Sequence, residues 1–567
     1  MSNLGPQQQN VSYDGLLQIP GGVTSDLQPV QDGMGNFTGL WLSSSGTNTP
    51  TSDTFIASNN GTAYTGAVPR LISDGFGDYL SVKDFGAVGD GVTDDTAAML
   101  AAEASGSSVY WPIGNYVVTQ SPTLGTSWGD GVVRVSGSIV YLHPLPGPVD
   151  CIYVEVFQPP AAGSGSSAST AIQNAINYAQ AVRLPLLFPA NGDYKISTTL
   201  TAKAGRDLSG HKYDVDINFN KSIFRPGPGV TAFLVNGVCE WVNVSSGRAE
   251  CYINIKNLEV DGYFADSTSK GIVIGTSGYQ IQGHSYGFIE YVVIKQNWPA
   301  GAIQFNIFNT QNIAFSRCVF APVISSNNGQ FTGDFQFYSC NFQQPASSAK
   351  SLSLTASSNS QIRGLKFIDC DVYGTNTEIH AEGYALVGDI WFYGCQWDSN
   401  DAATGTTVID INAGSTGQNA QIFNITFDNT YIVGYSGRYI SIVQNAGSAI
   451  NAIKINGLYM NSADVTTTAY NCALYLYGVS SATICNMNAN DITGTTGSTI
   501  ISVINSQNVM ISNNLCVYCP NMEYGVSIGG TSTRYSILGN QMHATVSIVN
   551  DYSSGTPIKQ VANNLAV

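Results

Sequence analysis

Acidic side chains cluster in one short part of the chain, where their spacing suits acid–base chemistry. Asp369 and Asp371 flank a cysteine, and Glu378 and Glu382 follow on either side of His380. Glycoside hydrolysis uses two carboxyl groups, about 5–5.5 Å apart for retention of configuration and about 6.5–9.5 Å apart for inversion. Residues two apart in a strand lie about 6.6 Å apart, which falls at the lower end of the range for inversion. We predict Asp371 with Glu378 or Glu382 as the catalytic pair, Asp369 as a further candidate, and His380 as a substrate contact.

Residues near these acids suit the binding of a sugar. Trp391 stands between two apolar residues in an alternating pattern, so its indole should face solvent one repeat after Lys366. An exposed indole offers a flat apolar face to a pyranose ring. Gln396 and Tyr431 continue an outward row along later repeats, and Arg317 lies in a bend two repeats before Lys366. We predict substrate-binding roles for these five residues.

Each candidate also has a structural interpretation. Asp369 and Asp371 are equally compatible with solvated turn residues, Trp391 with burial between subunits, and the segment 378–382 with a loop that contacts another subunit. His284 in the sequence GHS stands without companion catalytic motifs, so we interpret it as structural. A site built between subunits, with one acid on each chain, also remains open. The reserve carboxylates are Asp398, Asp401, Asp410, Glu259 and Asp261.

A recurring eight-residue unit indicates the elements that position these residues. Each unit has two apolar residues separated by one position, two turn-type residues, and a second apolar pair, and successive units start 22 to 35 residues apart. Short strands repeating at this interval are typical of a solenoid with parallel stacked coils. The clearest units are INIKNLEV (253–260), IAFSRCVF (313–320), FQFYSCNF (335–342), LKFIDCDV (365–372), IWFYGCQW (390–397), ITFDNTYI (425–432) and IKINGLYM (453–460), and YGFIEYVV (286–293) and ATICNMNA (482–489) fit with small changes.

Four cysteines occupy the same position in four successive units. Cys318, Cys340, Cys370 and Cys395 should therefore stack inside the solenoid at a spacing of about 4.8 Å. Small, buried, reduced thiols explain this row better than a catalytic function. We also interpret the sequence CVYC, with Cys516 and Cys519, as buried free thiols, and we expect no metal and no cofactor.

The stretch SVKDFGAVGDGVTDDTAAM (81–99) precedes the repeats. It predicts a short strand over SVKDF, a glycine-rich turn, and a helix with Thr93 or Asp94 as N-cap. The same order recurs before the repeats, where TAIQNAINYAQAV (170–182) predicts a second helix and LPLLFPANGDYKIS predicts strand, turn and strand. Both copies therefore look like caps at the start of a folded unit.

Composition excludes several partners. The net charge of −16 disfavours nucleic acid and anionic membrane surfaces, whose phosphates would repel the chain. No run of about 18 apolar residues is present, so we expect no membrane insertion. The polar start MSNLGPQQQN lacks the features of a secretory signal, which favours synthesis in a reducing cytoplasm.

The stretch 81–99 resembles the opening motif of the pectate-lyase-like superfamily, especially of bacteriophage tailspike proteins. This resemblance covers roughly residues 81–545 and implies an all-β fold, a right-handed parallel β-helix solenoid with a helical N-terminal cap. It implies an elongated homotrimer on a phage tail that binds, and often cleaves, a bacterial surface polysaccharide. The signatures of the family's polygalacturonases, and the aspartate cluster with a basic partner of its calcium-dependent lyases, are absent from the sequence.

The resemblance also predicts how the chain is divided. Residues 1–80 would attach to phage tail or baseplate proteins, and 81–158 would form a small cap or neck domain. Residues 159–545 would form the glycan-binding and catalytic helix, and 546–567 a short end. The expected location is the virion, with synthesis in the host cytoplasm and action outside the bacterial cell.

Three functions follow from these expectations. The leading hypothesis is a tailspike endoglycosidase that cleaves capsule or O-antigen polysaccharide. A lyase on the same fold would abstract a proton next to a uronate carboxyl, with His380, Lys366 and Arg317 as base and cations. A receptor-binding spike without catalysis would use the same groove only to bind. A secreted bacterial carbohydrate-active enzyme is a further alternative, which the polar N-terminus disfavours.

Overall fold

The computed structural model contains two compact units, Met1–Gly147 and Pro148–Val567. Before residue 80 it gives only strand positions, so the predicted attachment module lies outside the residues whose surroundings are described. Asp401 and His284 also lie outside them. The described residues are 80–104, 109–120, 127–129, 131–135, 151–157, 166–206, 212–237, 251–275, 286–295, 302–308, 310–327, 330–343, 350–373, 377–398, 406–414, 419–434, 437–465, 471–554 and 559–566, with a few isolated positions besides.

In the part of the first unit that the structure describes, there are small sheets and one α-helix. Three two-stranded sheets pair Gln28–Gln31 with Phe37–Leu42, Thr54–Phe55 with Arg70–Leu71, and Ser58–Asn59 with Thr62–Ala63. A three-stranded sheet places Val109–Trp111 between Leu80–Ser81 and Ser127–Gly129. A four-stranded sheet contains Asp90–Asp94, Asn115–Val118, Val132–Val135 and Ser138–Val140. The segment predicted as a strand over SVKDF is instead a 3-10 helix, Val82–Phe85, whose N-cap Ser81 forms a capping box with Asp84.

The first α-helix begins later than its predicted cap. It spans Thr96–Glu103 with Asp95 as N-cap, while Thr93 and Asp94 end the preceding strand. Asp95 is buried, and its carboxylate accepts bonds from the backbone N–H groups of Val88 (2.7 Å) and Gly89 (3.2 Å). The second acid of the TDD sequence, Asp95, therefore fixes the glycine-rich turn instead of the helix end.

The second unit is a parallel β-helix of three sheets. An α-helix, Ser169–Val182, opens it, and the 3-10 helices Val154–Phe157 and Gly262–Phe264 accompany it. Sheet A has 18 strands: Ile152–Tyr153, Leu186–Leu187, Asp193–Ile196, Val215–Pro226, Tyr252–Val260, Tyr286–Glu290, Val293–Ile294, Ile313–Ser316, Phe331–Gly333, Gln336–Tyr338, Gln361–Ile368, Leu386–Tyr393, Gln421–Asp428, Ala449–Asn456, Ala482–Cys485, Gln507–Ser512, Thr533–Leu538 and Lys559–Ala562.

The other two sheets complete each coil. Sheet B has 14 strands: Lys212–Tyr213, Leu200–Arg206, Thr231–Gly237, Lys270–Ile274, Ile303–Phe308, Pro322–Ser326, Leu352–Ala356, Thr377–Ala381, Thr406–Ala413, Gly437–Gln444, Cys472–Tyr477, Thr499–Ile504, Tyr524–Gly529 and Ser547–Asp551. Sheet C has nine: Asn341–Gln343, Asp371–Tyr373, Gln396–Asp398, Tyr431–Val433, Tyr459–Asp464, Asn488–Thr493, Leu515–Val517, Gln541–Met542 and Leu565–Ala566. The chain runs from A through a tight corner to C, and then through B to the next coil.

The pairing between coils confirms the solenoid predicted from the repeats. In the three sheets every pairing is parallel except that of Leu200–Arg206 with Lys212–Tyr213. Strands of all three sheets continue past residue 545 to Ala566. Among the described residues, no helix is both long enough and apolar enough to cross a membrane.

Stacked side chains fill the interior. The predicted cysteine row is confirmed, because Cys318, Cys340, Cys370 and Cys395 are at most 1% exposed. Beside it runs a stack of phenylalanine rings whose centroids lie 4.5 to 5.0 Å apart: Phe315, Phe337, Phe367, Phe392 and Phe427. The interpretation of Cys516 and Cys519 as free thiols is wrong, because the structure joins these two buried residues in a disulfide.

The phenylalanine stack generates a stability prediction. Replacing Phe367 with alanine leaves a gap between two stacked rings, so we expect the free energy of unfolding to fall by about 3–5 kcal/mol. Phe288, which is 54% exposed on the outer face of sheet A, serves as the control, and its alanine variant should change stability by less than about 1 kcal/mol. Equal effects of the two substitutions in denaturant unfolding would contradict the central role of the stack.

Candidate functional site

Asp371 lies on the outer face of sheet C, as its position beside inward Cys370 predicts. It begins the strand Asp371–Tyr373, in which the middle residue, Val372, is buried. Gln396 is its partner on the next strand, and Tyr431 follows one strand further. The structure therefore brings these three predicted residues together in one outward row.

Asp398 is an acidic neighbour of Asp371. Asp371 is paired with Gln396, and Tyr373 with Asp398, so the two carboxylates stand diagonally across neighbouring strands. A strand spacing of about 4.8 Å and a rise of about 3.3 Å per residue put their Cα atoms about 8 Å apart. Burial raises the pKa of Asp371, and the charge of Asp398 raises it further. Burial and the same two acids also raise the pKa of Tyr373.

Glu378 and His380 lie on sheet B, in a segment that the sequence analysis treats as a loop. The structure corrects this: Thr377–Ala381 is a strand in which Thr377, Ile379 and Ala381 are buried. Glu378 and His380 alternate with them and share the outer face, as an extended segment requires. They therefore lie on a different sheet from Asp371.

Glu378 has an acid directly opposite it. The register pairs Glu378 with Asp410 on the next strand of sheet B, and with Ser353 on the preceding one. The Ser353 hydroxyl donates to Glu378 Oε2 at 3.4 Å. Two carboxylates on facing positions of neighbouring parallel strands are separated by about 4.8 Å at their Cα atoms.

Asp410 has the properties of an acid that stays protonated to higher pH. Burial raises its pKa most, and the charge of Glu378 raises it further. Lys350, Arg438 and the Ser441 hydroxyl act in the opposite direction. A half-buried carboxyl between another acid and two cations is an arrangement found at catalytic sites and in structural ion clusters alike.

Arg438 lies beside this row, three residues before Ser441 on the same strand, and its register partner is Thr407. It is 8% exposed, and its Nη1 donates to Ser441 Oγ at 3.3 Å. Its guanidinium lies 4.7 Å from the centroid of Tyr475, which follows Ser441 in register. Ser353, Ser441 and Tyr475 are buried although they face outward, so other parts of the chain cover both ends of the row. Glu378 and Asp410 stay partly accessible between them.

Lys366 and Trp391 form a separate pair on sheet A. They are register partners on neighbouring strands, and the Lys366 ammonium lies 5.8 Å from the centroid of the indole. Trp391 is half-buried. Sheet A lies on another side of the coil, so this pair does not share the outer face of Asp371 or that of Glu378.

The remaining predicted residues occupy corners of the coils. Arg317 lies at a corner after sheet A, where its guanidinium is 5.3 Å from the centroid of Tyr291. Asp369 occupies the equivalent corner with φ of +51°. Glu382 follows the strand of Glu378, and its carboxylate lies 3.9 Å from His380 Nε2.

Sequence reasoning placed the decisive partners in reserve or missed them. Asp398 and Asp410 were reserve carboxylates, whereas Lys350 and Arg438 were not considered. Their link to the candidates is the pairing between coils, which an alternating pattern within one coil does not contain. The sequence does offer one indication for Arg438: this charged residue stands directly before the apolar alternation YISIV, which is typical of a strand.

Comparison with known proteins gives a match at the start of the fold. Residues 79–124 match the family model described as rhamnogalacturonase A/epimerase, pectate lyase-like. The opening segment is pectate lyase-like. Mannuronan C5-epimerase AlgE5 of Azotobacter vinelandii is 45% identical over 64 residues, which are 10% of this chain and 6% of the epimerase.

Two solved structures are similar over most of the chain. Tailspike protein 3 of bacteriophage CBA120 is 12% identical and covers 91% of this chain and 66% of its own, with a TM-score of 0.31. A variant tailspike of E. coli bacteriophage HK620, in complex with a pentasaccharide, is 12% identical and covers 91% and 84%, with a TM-score of 0.40.

The raised pKa of Asp410 generates a prediction for stability. A carboxyl whose pKa is raised by folding stabilises the folded state below its unfolded pKa, and this contribution is lost as pH rises through the folded pKa. Asp410→Asn replaces the carboxyl by a neutral amide that resembles the protonated acid, so the variant does not lose this stabilising contribution as pH rises. We expect the variant to unfold at a higher temperature than the wild type at about pH 7, with the difference vanishing near pH 3, below the ordinary aspartate pKa. A lower midpoint at neutral pH would contradict this assignment.

Proposed function

We propose that this protein is an endoglycosidase that cleaves bacterial surface polysaccharide, a capsule or an O-antigen, with Glu378 and Asp410 as its carboxylate pair. The observation that supports this most is their register on sheet B, which sets two acids opposite each other beside Arg438 and Lys350. One acid of the pair has a raised pKa, as a general acid at neutral pH requires.

In this proposal the two acids have different roles. Asp410, whose pKa is raised by burial and by the charge of its neighbour, is the acid that donates a proton to the oxygen of the leaving sugar. Glu378 attacks the anomeric carbon, and water then releases the product while Asp410 acts as base. Ser353 orients the Glu378 carboxylate through its hydrogen bond. The short spacing of the strands favours this retaining mechanism over inversion.

A second arrangement uses the acids on sheet C. Asp371, whose pKa is raised by burial and by Asp398, would be the general acid, and Asp398 would activate water. Their wider diagonal spacing of about 8 Å suits inversion. Gln396 and Tyr431 lie beside them and would bind the sugar. We rank this pair second because the described residues supply no cation to it.

We further propose that the protein acts as a homotrimeric phage tailspike, bound to the tail through its N-terminal region. The support is the sequence resemblance of residues 81–99 and the parallel β-helix that follows. The molar mass from sedimentation equilibrium tests the oligomer: three times the chain mass of 60.1 kDa is expected. The mass of a monomer would contradict the homotrimer but would not contradict the proposed enzymatic activity.

Substitution of the acids tests the catalytic pair. Glu378→Gln and Asp410→Asn should each lower kcat by about 10²-fold or more, the contribution of a positioned acid or base. Asp428→Asn, at another half-buried outward aspartate, should change kcat by less than about twofold. The assay is chain length of the polysaccharide over time. Full activity of both site variants, together with loss of activity in Asp371→Asn, would move the site to sheet C.

The stereochemistry of the product gives an independent prediction. Because the two Cα atoms lie about 4.8 Å apart, we expect the newly formed reducing end to keep the configuration of the cleaved bond. Proton NMR of the first product, recorded before mutarotation, measures this directly. An inverted product would favour Asp371 and Asp398 instead.

Two outcomes would replace hydrolysis itself. An unsaturated product, detected by its ultraviolet absorbance, would identify a lyase, in which Lys350 and Arg438 neutralise a uronate carboxylate beside the acids. If the protein binds the polysaccharide but the polysaccharide stays at full length, the protein is a polysaccharide-binding protein and the enzyme proposal is wrong.

A further inference from the structure

A groove lies among the early coils of the β-helix, away from both carboxylate pairs. It follows the corner where sheet A bends in successive coils, and it encloses 540 Å³. Cavities that bind small molecules fall in the range of about 300–1,000 Å³. Its apolar wall is formed by Ile223, Leu258 and Val293. The volume and the apolar wall are those of a binding groove for a group of small-molecule size.

Polar groups line the rest of this groove. Asn191 and Asn257 supply two amides, and Lys221 and Glu259 supply one charge each. Glu259 is ion-paired with Lys295, so its charge is largely balanced. Amides and a balanced carboxylate beside apolar wall suit a ligand with many hydroxyls better than one with a strong charge.

Tyr291 is the residue that distinguishes the groove. Its side chain is 43% exposed, and its backbone φ is +54°, a left-handed conformation that a bulky residue adopts only with strain. The same corner holds Asn429 and Gly457 in later coils, and these residue types adopt it readily. A large aromatic side chain at this corner is therefore unexplained by the turn itself.

Arg317 fixes the orientation of the Tyr291 ring. The guanidinium lies 5.3 Å from the centroid of the ring, and its Nη1 donates to the phenol oxygen. Glu290 lies 4.0 Å from the same guanidinium. The ring is thus held before any ligand arrives, which lowers the entropy lost on binding.

We propose that this groove binds a sugar unit of the polysaccharide, stacked on Tyr291 and hydrogen-bonded to the amides of Asn191 and Asn257. Aromatic rings offer a flat apolar face while their rims stay polar, and sugar rings present the matching surface. Because Glu259 and Arg317 are ion-paired, hydroxyl groups carry most of the recognition, and the exposed Lys221 adds one cation at the rim. The identity of the ligand as a glycan rests on the proposed function.

The groove acts at a distance from the chemistry. Its Glu259 is connected to Asp371, which stands in the same coil as Glu378, through the register partners Val293, Val319 and Asn341. These are four strand steps of about 4.8 Å, or about 19 Å in all. A sugar held there belongs to a part of the chain that does not react, and its binding energy favours long substrates over short ones.

Binding by the full-length chain tests the groove independently of catalysis. The probe is a panel of purified bacterial capsules and O-antigens immobilised on a surface, with bound protein measured at equilibrium. For a polysaccharide that the wild type binds, we expect Tyr291→Ala to raise Kd by about tenfold, the loss of one aromatic contact. Tyr291→Phe, which keeps the ring, should stay within about threefold of the wild type.

A matched control separates the groove from general effects. Tyr518 is also an exposed tyrosine, 70%, with a positive φ of +55°, and it lies in a late coil. Tyr518→Ala should leave Kd unchanged, and all variants should share the unfolding midpoint of the wild type. Equal Kd values for wild type and Tyr291→Ala, or no binding of any polysaccharide by the wild type, would overturn the inference. If binding depends on Tyr291 but the polysaccharide is not cleaved, the groove is a sugar-binding site and the proposed endoglycosidase activity is wrong.

Discussion

The register between successive coils is the constraint on which the rest of the structure depends. Parallel pairing sets residues at the same coil position directly above one another at about 4.8 Å. The inner positions are then filled by similar side chains, as in the nearly parallel rings of Phe337, Phe367 and Phe392. A slip by one residue would turn these rings outward, so the inner stack also decides which side chains face solvent.

The same register brings like charges together on the outer face. Glu378 and Asp410 are direct neighbours, an arrangement that destabilises a sheet, and burial adds to the effect at Asp410. Ser353 and Ser441 occupy the same row on either side of the two acids, so the fold accepts an uncharged side chain at this position. Two acids at these positions therefore oppose stability, and a function that needs paired carboxyl groups explains their presence. Arg438 limits the destabilisation by adding a positive charge close to the pair.

Alternation within a coil was enough to predict the inside and the outside of each strand, but not the partners between strands. It placed Cys370 in the core and Asp371 on the surface, and the outward row through Gln396 and Tyr431 followed from it. The sequence around Glu378 resembles a loop because its strand is only five residues long and begins among Gly, Thr and Asn. Coils of unequal length separate Glu378 from Asp410, so their pairing depends on loops whose lengths carry no periodic signal.

In a repetitive fold, departures from the repeated choice are the informative positions. Corner residues with positive φ are mostly asparagine, glycine or aspartate, which adopt this conformation with little strain. Tyr291 and Arg317 depart from that choice in adjacent coils, and their side chains contact each other. The inner stack does not explain either residue, because both side chains point away from it. The acids on sheet B depart in the same way from the uncharged Ser353 and Ser441 that flank them. Both exceptions lie on the outer surface and both cost stability, so a ligand that contacts these side chains explains them better than the fold does.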